Sequence, residues 1–100
     1  MDTYTAIETL EMDETATAED EYRAMQALVN SGTWGLQGSL GRAMMGAVEA
    51  GYVALGPEPA RDYYGNRIPS RFEVEAGTKG SVEFVEANSP YGLLDEEVTT

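Results

Sequence analysis

The chain of 100 residues has no cysteine and no histidine, and only six lysines and arginines stand against eighteen aspartates and glutamates. Without cysteine there are no disulfides, thiolate metal sites or sulfur nucleophiles. Without histidine the usual zinc ligand is missing, and so is the side chain that most often serves as general base near neutral pH. Any catalysis would have to come from carboxylates, tyrosines, hydroxyls and the few cations. No apolar run approaches the roughly 20 residues of a membrane span. The opening MDTYTAIETLEMDE lacks the basic and apolar regions of a signal peptide. The expectation is a soluble, intracellular protein with no membrane partner and no cofactor.

What is present is a charge of -12, unevenly spread. Residues 1–21 hold Asp2, Glu8, Glu11, Asp13, Glu14, Glu19, Asp20 and Glu21 without a base, and residues 81–100 hold Glu83, Glu86, Asp95, Glu96 and Glu97 without one. Residues 22–60 balance to zero, and residues 61–80 carry a net +1. Like charges at that density repel and offer little to bury, so the ends are expected to be solvated and flexible. A sharper alternative is that their spaced carboxylates imitate a phosphate backbone and occupy a nucleic-acid-binding groove on another protein. Direct nucleic-acid binding is not expected, because no basic patch is large enough to overcome the net field.

One hundred residues fit a single small domain. Thr17 ahead of Glu19, Asp20 and Glu21 is an N-cap followed by acids, and Tyr22, Met25, Leu28 and Val29 form one stripe, predicting a helix over 18–30. Leu36, Leu40, Ala43, Met44, Ala47 and Val48 predict a second helix, with Gly51 ending it. The fold class is therefore α+β: a helical hairpin over 17–51, an irregular segment, and one or two short strands. Phe72 and Val74 alternate with Arg71, Glu73 and Glu75 as in a half-buried strand. Val82, Phe84 and Val85 suit either a paired strand or a short helix capped by Ser81, and the acids Glu83 and Glu86 favour the helix. Residues 1–16 are expected as a flexible acidic segment, 17–88 as the globular domain and 89–100 as an acidic tail. Gly35, Ser39, Ala43, Ala47 and Gly51 recur every fourth residue. That ridge suits close packing within the chain, with a homodimer seam through Gly35, Ser39, Ala43 and Ala47 as the alternative.

The segment RDYYGNRIPSR, residues 61–71, gathers three arginines and two tyrosines in an acidic chain. Arginine and tyrosine are enriched where partners dock, because both offer large contact area and fixed donors. Three readings stay open. The arginines pair with the chain's own acidic ends while the tyrosines cover a thin core; or Arg61, Tyr63, Tyr64, Arg67 and Arg71 form a protein-binding face; or the same arginines converge on a phosphate or nucleotide whose base stacks on a tyrosine. Lys79 adds a further cation to the partner- or anion-binding set. Glu73, Glu75, Glu83 and Asp62 are the carboxylates that could form an acid–base pair, and surface solvation accounts for them. Asp13-Glu14 and Asp95-Glu96-Glu97 lack the glycine and spacing of a calcium loop. The glycine-rich stretches at 35–41 and 77–81 lack the lysine-then-hydroxyl ending of a phosphate-binding loop.

The runs NSG, W, GSLGR, GYVALG, RDYYGN and PSRFEVEAGTKGS, at residues 30–32, 34, 38–42, 51–56, 61–66 and 69–81, resemble a small family of acidic proteins encoded by phages of actinobacteria. The resemblance spans about half the chain and leaves out the acidic termini. It implies a phage origin and a location in the cytoplasm of the infected host, and no assigned activity. Composition and resemblance together give the expectation of a non-enzymatic phage accessory protein that binds and modulates a bacterial host protein. A sink for an anionic nucleotide signal in host defence is the alternative, and a virion component is a third.

Overall fold

The computed structural model describes residues 1–35 and 38–95, and the following statements concern these residues. They form a small α+β domain of four helices and a two-stranded antiparallel sheet: α1 (Thr3–Glu11), α2 (Ala18–Asn30), α3 (Gly38–Ala50), β1 (Ala60–Arg61), β2 (Arg67–Ile68) and α4 (Val82–Asn88). No helix is long and apolar enough to cross a membrane.

Local chemistry sets the helix ends. Thr17 and Asp20 form a reciprocal capping box, each side chain accepting from the other's backbone N–H, so two of the orphan donors of α2 are satisfied. Ser81 caps α4 by accepting from the Phe84 N–H at 3.1 Å. The segment that could have been strand or helix is thus the helix. Gly51 ends α3 at a φ of 84°, and a Cβ there would stand 2.7 Å from the Asn88 Cβ, so both the backbone conformation and the approach of α4 require glycine. The periodicity expected from Leu36 onward begins outside the described residues, as do Glu96 and Glu97 of the tail.

Four differences from the expected layout have physical reasons. Residues 1–16 contain α1, whose Asp2 cap accepts from Thr5 N–H at 2.7 Å and whose Ala6 is completely buried. Ala6, Ile7 and Leu10 line one side of this helix and pack on the core, while Glu8 and Glu11 face water. The intimate helix pair is therefore α1 on α2, and the 17–51 hairpin gives way to a looser arrangement in which α2 and α3 touch at few points. Third, residues 71–75 are a series of turns, not a strand: Glu73 accepts from the Ser70 N–H at 2.7 Å, which folds the backbone back on itself. Phe72 is accordingly 76% exposed. Fourth, residues 89–95 dock on the domain, with Leu94 buried and Asp95 bonded to Arg71.

The core is one cluster built from Ala6, Ala24, Leu28, Val29, Trp34, Met44, Val48, Val53, Leu55 and Ile68. It is closed from below by the turn ahead of α4. There Gly80 has a φ of 94°, its carbonyl accepts from the Leu55 N–H at 3.0 Å, and an added Cβ would lie 2.6 Å from Leu55 Cδ1 and 2.8 Å from Leu55 Cγ. Leu55 is itself buried, so it can yield only by displacing its neighbours in the core. Gly80→Ala is therefore expected to cost about 2 kcal/mol through combined overpacking and backbone strain, read as a lowered urea midpoint with unchanged slope.

Candidate functional site

The two strands form a short hairpin with Ala60 opposite Ile68 and Arg61 opposite Arg67. Its tip is held by Asp62, whose carboxylate accepts from the backbone N–H groups of Tyr64 (2.9 Å) and Asn66 (2.8 Å), while Asp62 N–H donates to the Asn66 carbonyl at 3.0 Å. With its acceptors aimed inward at the turn, Asp62 fixes the two tyrosines outward. They are 57% and 70% exposed and meet edge to face with ring centroids 5.2 Å apart. Three other tyrosines behave differently: Tyr22 stacks on Tyr52 at 4.5 Å and Tyr91 is tilted against Tyr22 at 6.2 Å, so these three cover the domain, while Tyr4 on α1 is exposed.

Between the hairpin and α3 lies an open cleft of about 310 Å³. Its floor is Trp34, Met45, Ile68 and Pro69, and its rim is Tyr63, Tyr64, Arg67 and Arg42. Trp34 and Ile68 are buried and anchored in the core, so the floor is rigid. Gly38 and Gly41, one helical turn apart on α3, keep that wall low; a Cβ on Gly41 would come within 3.3 Å of the Trp34 carbonyl oxygen.

The positive charges near the cleft are not equivalent. Arg67 donates to Glu73 Oε1 at 2.6 Å in an exposed pair. Arg61 donates to the Gly65 carbonyl at 2.9 Å and lines a separate shallow groove with Pro59, Ala60 and Arg67. Arg42 has no ion-pair or hydrogen-bond partner among the described residues.

Of the residues singled out in the sequence, Tyr63, Tyr64 and Arg67 therefore share the cleft, and Arg61 sits beside it on the same hairpin. Arg71 does not belong. Its side chain is 9% exposed and turns into the domain, where it donates to the Leu55 carbonyl (2.7 Å), Asn30 Oδ1 (2.9 Å) and both oxygens of Asp95 (2.7 and 3.1 Å). This is the pairing with an acidic end that the structural reading of the cluster required. Lys79 lies exposed on the turn before α4 and is not among the residues lining the cleft. In the small-residue ridge, Gly35, Ser39 and Ala43 are exposed, but Ala47 is part of the core and does not extend the row outward.

Sequence reasoning missed the α3 wall, Arg42 above all, and Trp34. The signal available was weak: Arg42 stands four residues after Gly38, a spacing that puts both on one helix face, but nothing local indicates that a hairpin 20 residues later closes over that face.

The carboxylates at the site are held ionised. Partial desolvation acts upward on Asp62, but hydrogen bonds from Asn66, Tyr64 and Gly65 outweigh it and leave its pKa below the ordinary value. The Ser70 N–H, followed by Arg67, lowers Glu73 in the same way. A general acid at neutral pH needs the opposite displacement. Among the described residues no group of three or more carboxylates is gathered as metal ligands. No protein-family model, curated protein or solved structure matches the chain.

Proposed function

We propose that this chain is a non-enzymatic binding protein, a phage accessory factor that engages a protein of its bacterial host in the cytoplasm, and that the cleft between α3 and the hairpin is its contact site. The observation that carries this reading is the pair of tyrosines held outward over an apolar floor with Arg42 and Arg67 at the rim. Two aromatic side chains left more than half exposed add nothing to the core and are held where interface anchors stand. The phage setting rests on the sequence resemblance alone.

Affinity capture from an actinobacterial lysate with the 100-residue chain tests it. The wild type is expected to retain one stoichiometric partner, and Tyr64→Ala with Arg42→Ala to lower retention at least tenfold. Surface truncations of this kind leave stability within about 0.5 kcal/mol, so the urea midpoint of the variant should not move. Equal retention by the variant, or an empty capture with the wild type, defeats the proposal.

The second reading, a sink for an anionic nucleotide, is favoured by the same unpartnered Arg42 beside aromatic rings. It predicts that a thermal-shift screen against nucleotides raises the melting temperature and that Arg42→Ala abolishes the rise.

A further inference from the structure

The cleft has one corner with a chemistry of its own. A Cβ placed on Gly38 would lie 3.2 Å from Arg42 Nη1 and 3.2 Å from the Tyr64 hydroxyl. The guanidinium and the hydroxyl therefore stand no more than twice that distance apart, a span that a single carboxylate bridges by accepting one hydrogen bond on each oxygen. Neither group has a hydrogen-bond partner among the described residues. Immediately beside them is the apolar floor of Trp34, Met45 and Ile68. We infer that this corner recognises a single carboxylate carried next to an apolar side chain, so that the partner segment read by the cleft is an acidic peptide with the apolar residue in the floor and the acid between Arg42 and Tyr64. This rests on the cleft being the contact site.

Charge decides between a carboxylate and a phosphate. Charges within a Debye length, roughly 8 Å at physiological salt, dominate the local field. Here Arg67 is already matched by Glu73, and the ionised Asp62 of the cleft lining stands against Arg61 of the same hairpin, whose guanidinium meets only the Gly65 carbonyl among the described residues. One guanidinium is left over to meet the ligand. It compensates a monoanion, whereas a phosphate monoester close to dianionic would face Asp62 and Glu73 with half its charge unmatched. An apolar floor also adds affinity for a hydrocarbon side chain that a free phosphate cannot use.

The test uses three small probes on the isotope-labelled full chain, followed by NMR: N-acetyl-L-phenylalanine, its uncharged amide, and adenosine monophosphate. N-acetyl-L-phenylalanine is expected to shift the backbone signals of Gly38, Gly41 and Tyr64 and the side-chain Nε–H of Arg42. The amide is expected to bind at least fivefold more weakly. Arg42→Gln should bring acid and amide to equal affinity, and added salt should weaken the acid alone. Equal binding of acid and amide by the wild type, or tighter binding of adenosine monophosphate than of the acid, overturns the inference.

Lysate capture separates its failure from that of the wider reading. Loss of the partner with Tyr64→Ala but full retention with Arg42→Gln removes the carboxylate assignment and leaves the contact site standing. Capture indifferent to both substitutions removes the contact site, and the assignment as a statement about the partner with it.

Discussion

Arg71→Ala is expected to destabilise the domain by about 3 kcal/mol, the range seen when one member of a largely desolvated ion pair is removed. The arginine is not one contact among many. It ties the end of α2 at Asn30, the 52–55 segment at the Leu55 carbonyl, and the C-terminal segment at Asp95, and the Asn30 side-chain amide donates to Asp95 at 2.7 Å to close the ring. With the guanidinium gone, the Leu55 carbonyl loses its side-chain donor and a carboxylate only 29% exposed loses its countercharge. Lysine keeps the charge but not the planar fork, so Arg71→Lys should lose an intermediate amount. Urea denaturation reads both, and a midpoint for Arg71→Ala within error of the wild type would refute the account.

The same network sets an acid limb. Burial pushes the Asp95 carboxyl up, but hydrogen bonds from Arg71 and Asn30 and the Arg71 charge outweigh it and leave its pKa below the ordinary 3.8. A carboxylate depressed in the folded state contributes stability that is fully present above its unfolded pKa and is lost as pH falls through the lower folded value. Asp95→Asn should therefore flatten the stability profile below about pH 4. In Arg71→Ala, burial acts on Asp95 without its countercharge, so the depression shrinks or reverses and the acid limb that Asp95 contributes should flatten as it does in Asp95→Asn.

How far the residues announce this arrangement depends on the range of the interaction. Features set within one helical turn were legible: the Thr17 capping box, the Ser81 cap that makes 82–88 a helix, and the Gly51 stop. The helix α1 was hidden because its acids dominate any local average, while the three apolar residues that hold it, Ala6, Ile7 and Leu10, matter only once α2 is there to receive them. Alternation misled at Phe72, because period 2 forms a strand only where a ladder partner exists, and the bonds of Arg71 and Glu73 hold that backbone in turns instead. Within the 61–71 cluster, the hairpin tip could be read from Tyr63-Tyr64-Gly65-Asn66. Which arginine turns inward could not, since the choice depends on an aspartate 24 residues away. The contribution of Arg42 to the cleft depends likewise on tertiary approach and not on any motif.

Gln26→Ala should be the most damaging substitution in the chain, at about 4 kcal/mol against a total of the order of 5–15 for a domain of this size. Gln26 is completely buried on α2, and its amide does what a neighbouring strand would do for Ala54: Oε1 accepts from the Ala54 N–H at 2.8 Å and Nε2 donates to the Ala54 carbonyl at 2.9 Å. Truncation would leave two buried backbone groups unpaired, each costing about 1–3 kcal/mol, and add the void of the lost side chain. Gln26→Leu separates these effects, because it restores most of the volume without restoring either bond; it should recover little, and full recovery would show that packing alone holds the 52–55 segment. Gln26→Glu sharpens the point, since an oxygen in place of Nε2 would face both the Ala54 carbonyl and Asn30 Oδ1. Amide exchange at Ala54 is expected to be slow in the wild type, where the N–H is bonded and buried, and to accelerate in all three variants. Because Nε2 also donates to Asn30 Oδ1, the oxygen that receives Arg71, the costs of Gln26→Ala and Arg71→Ala should not add. A double variant whose loss equals the sum of the singles would mean that the two residues hold the 52–55 segment independently, and not through the shared asparagine.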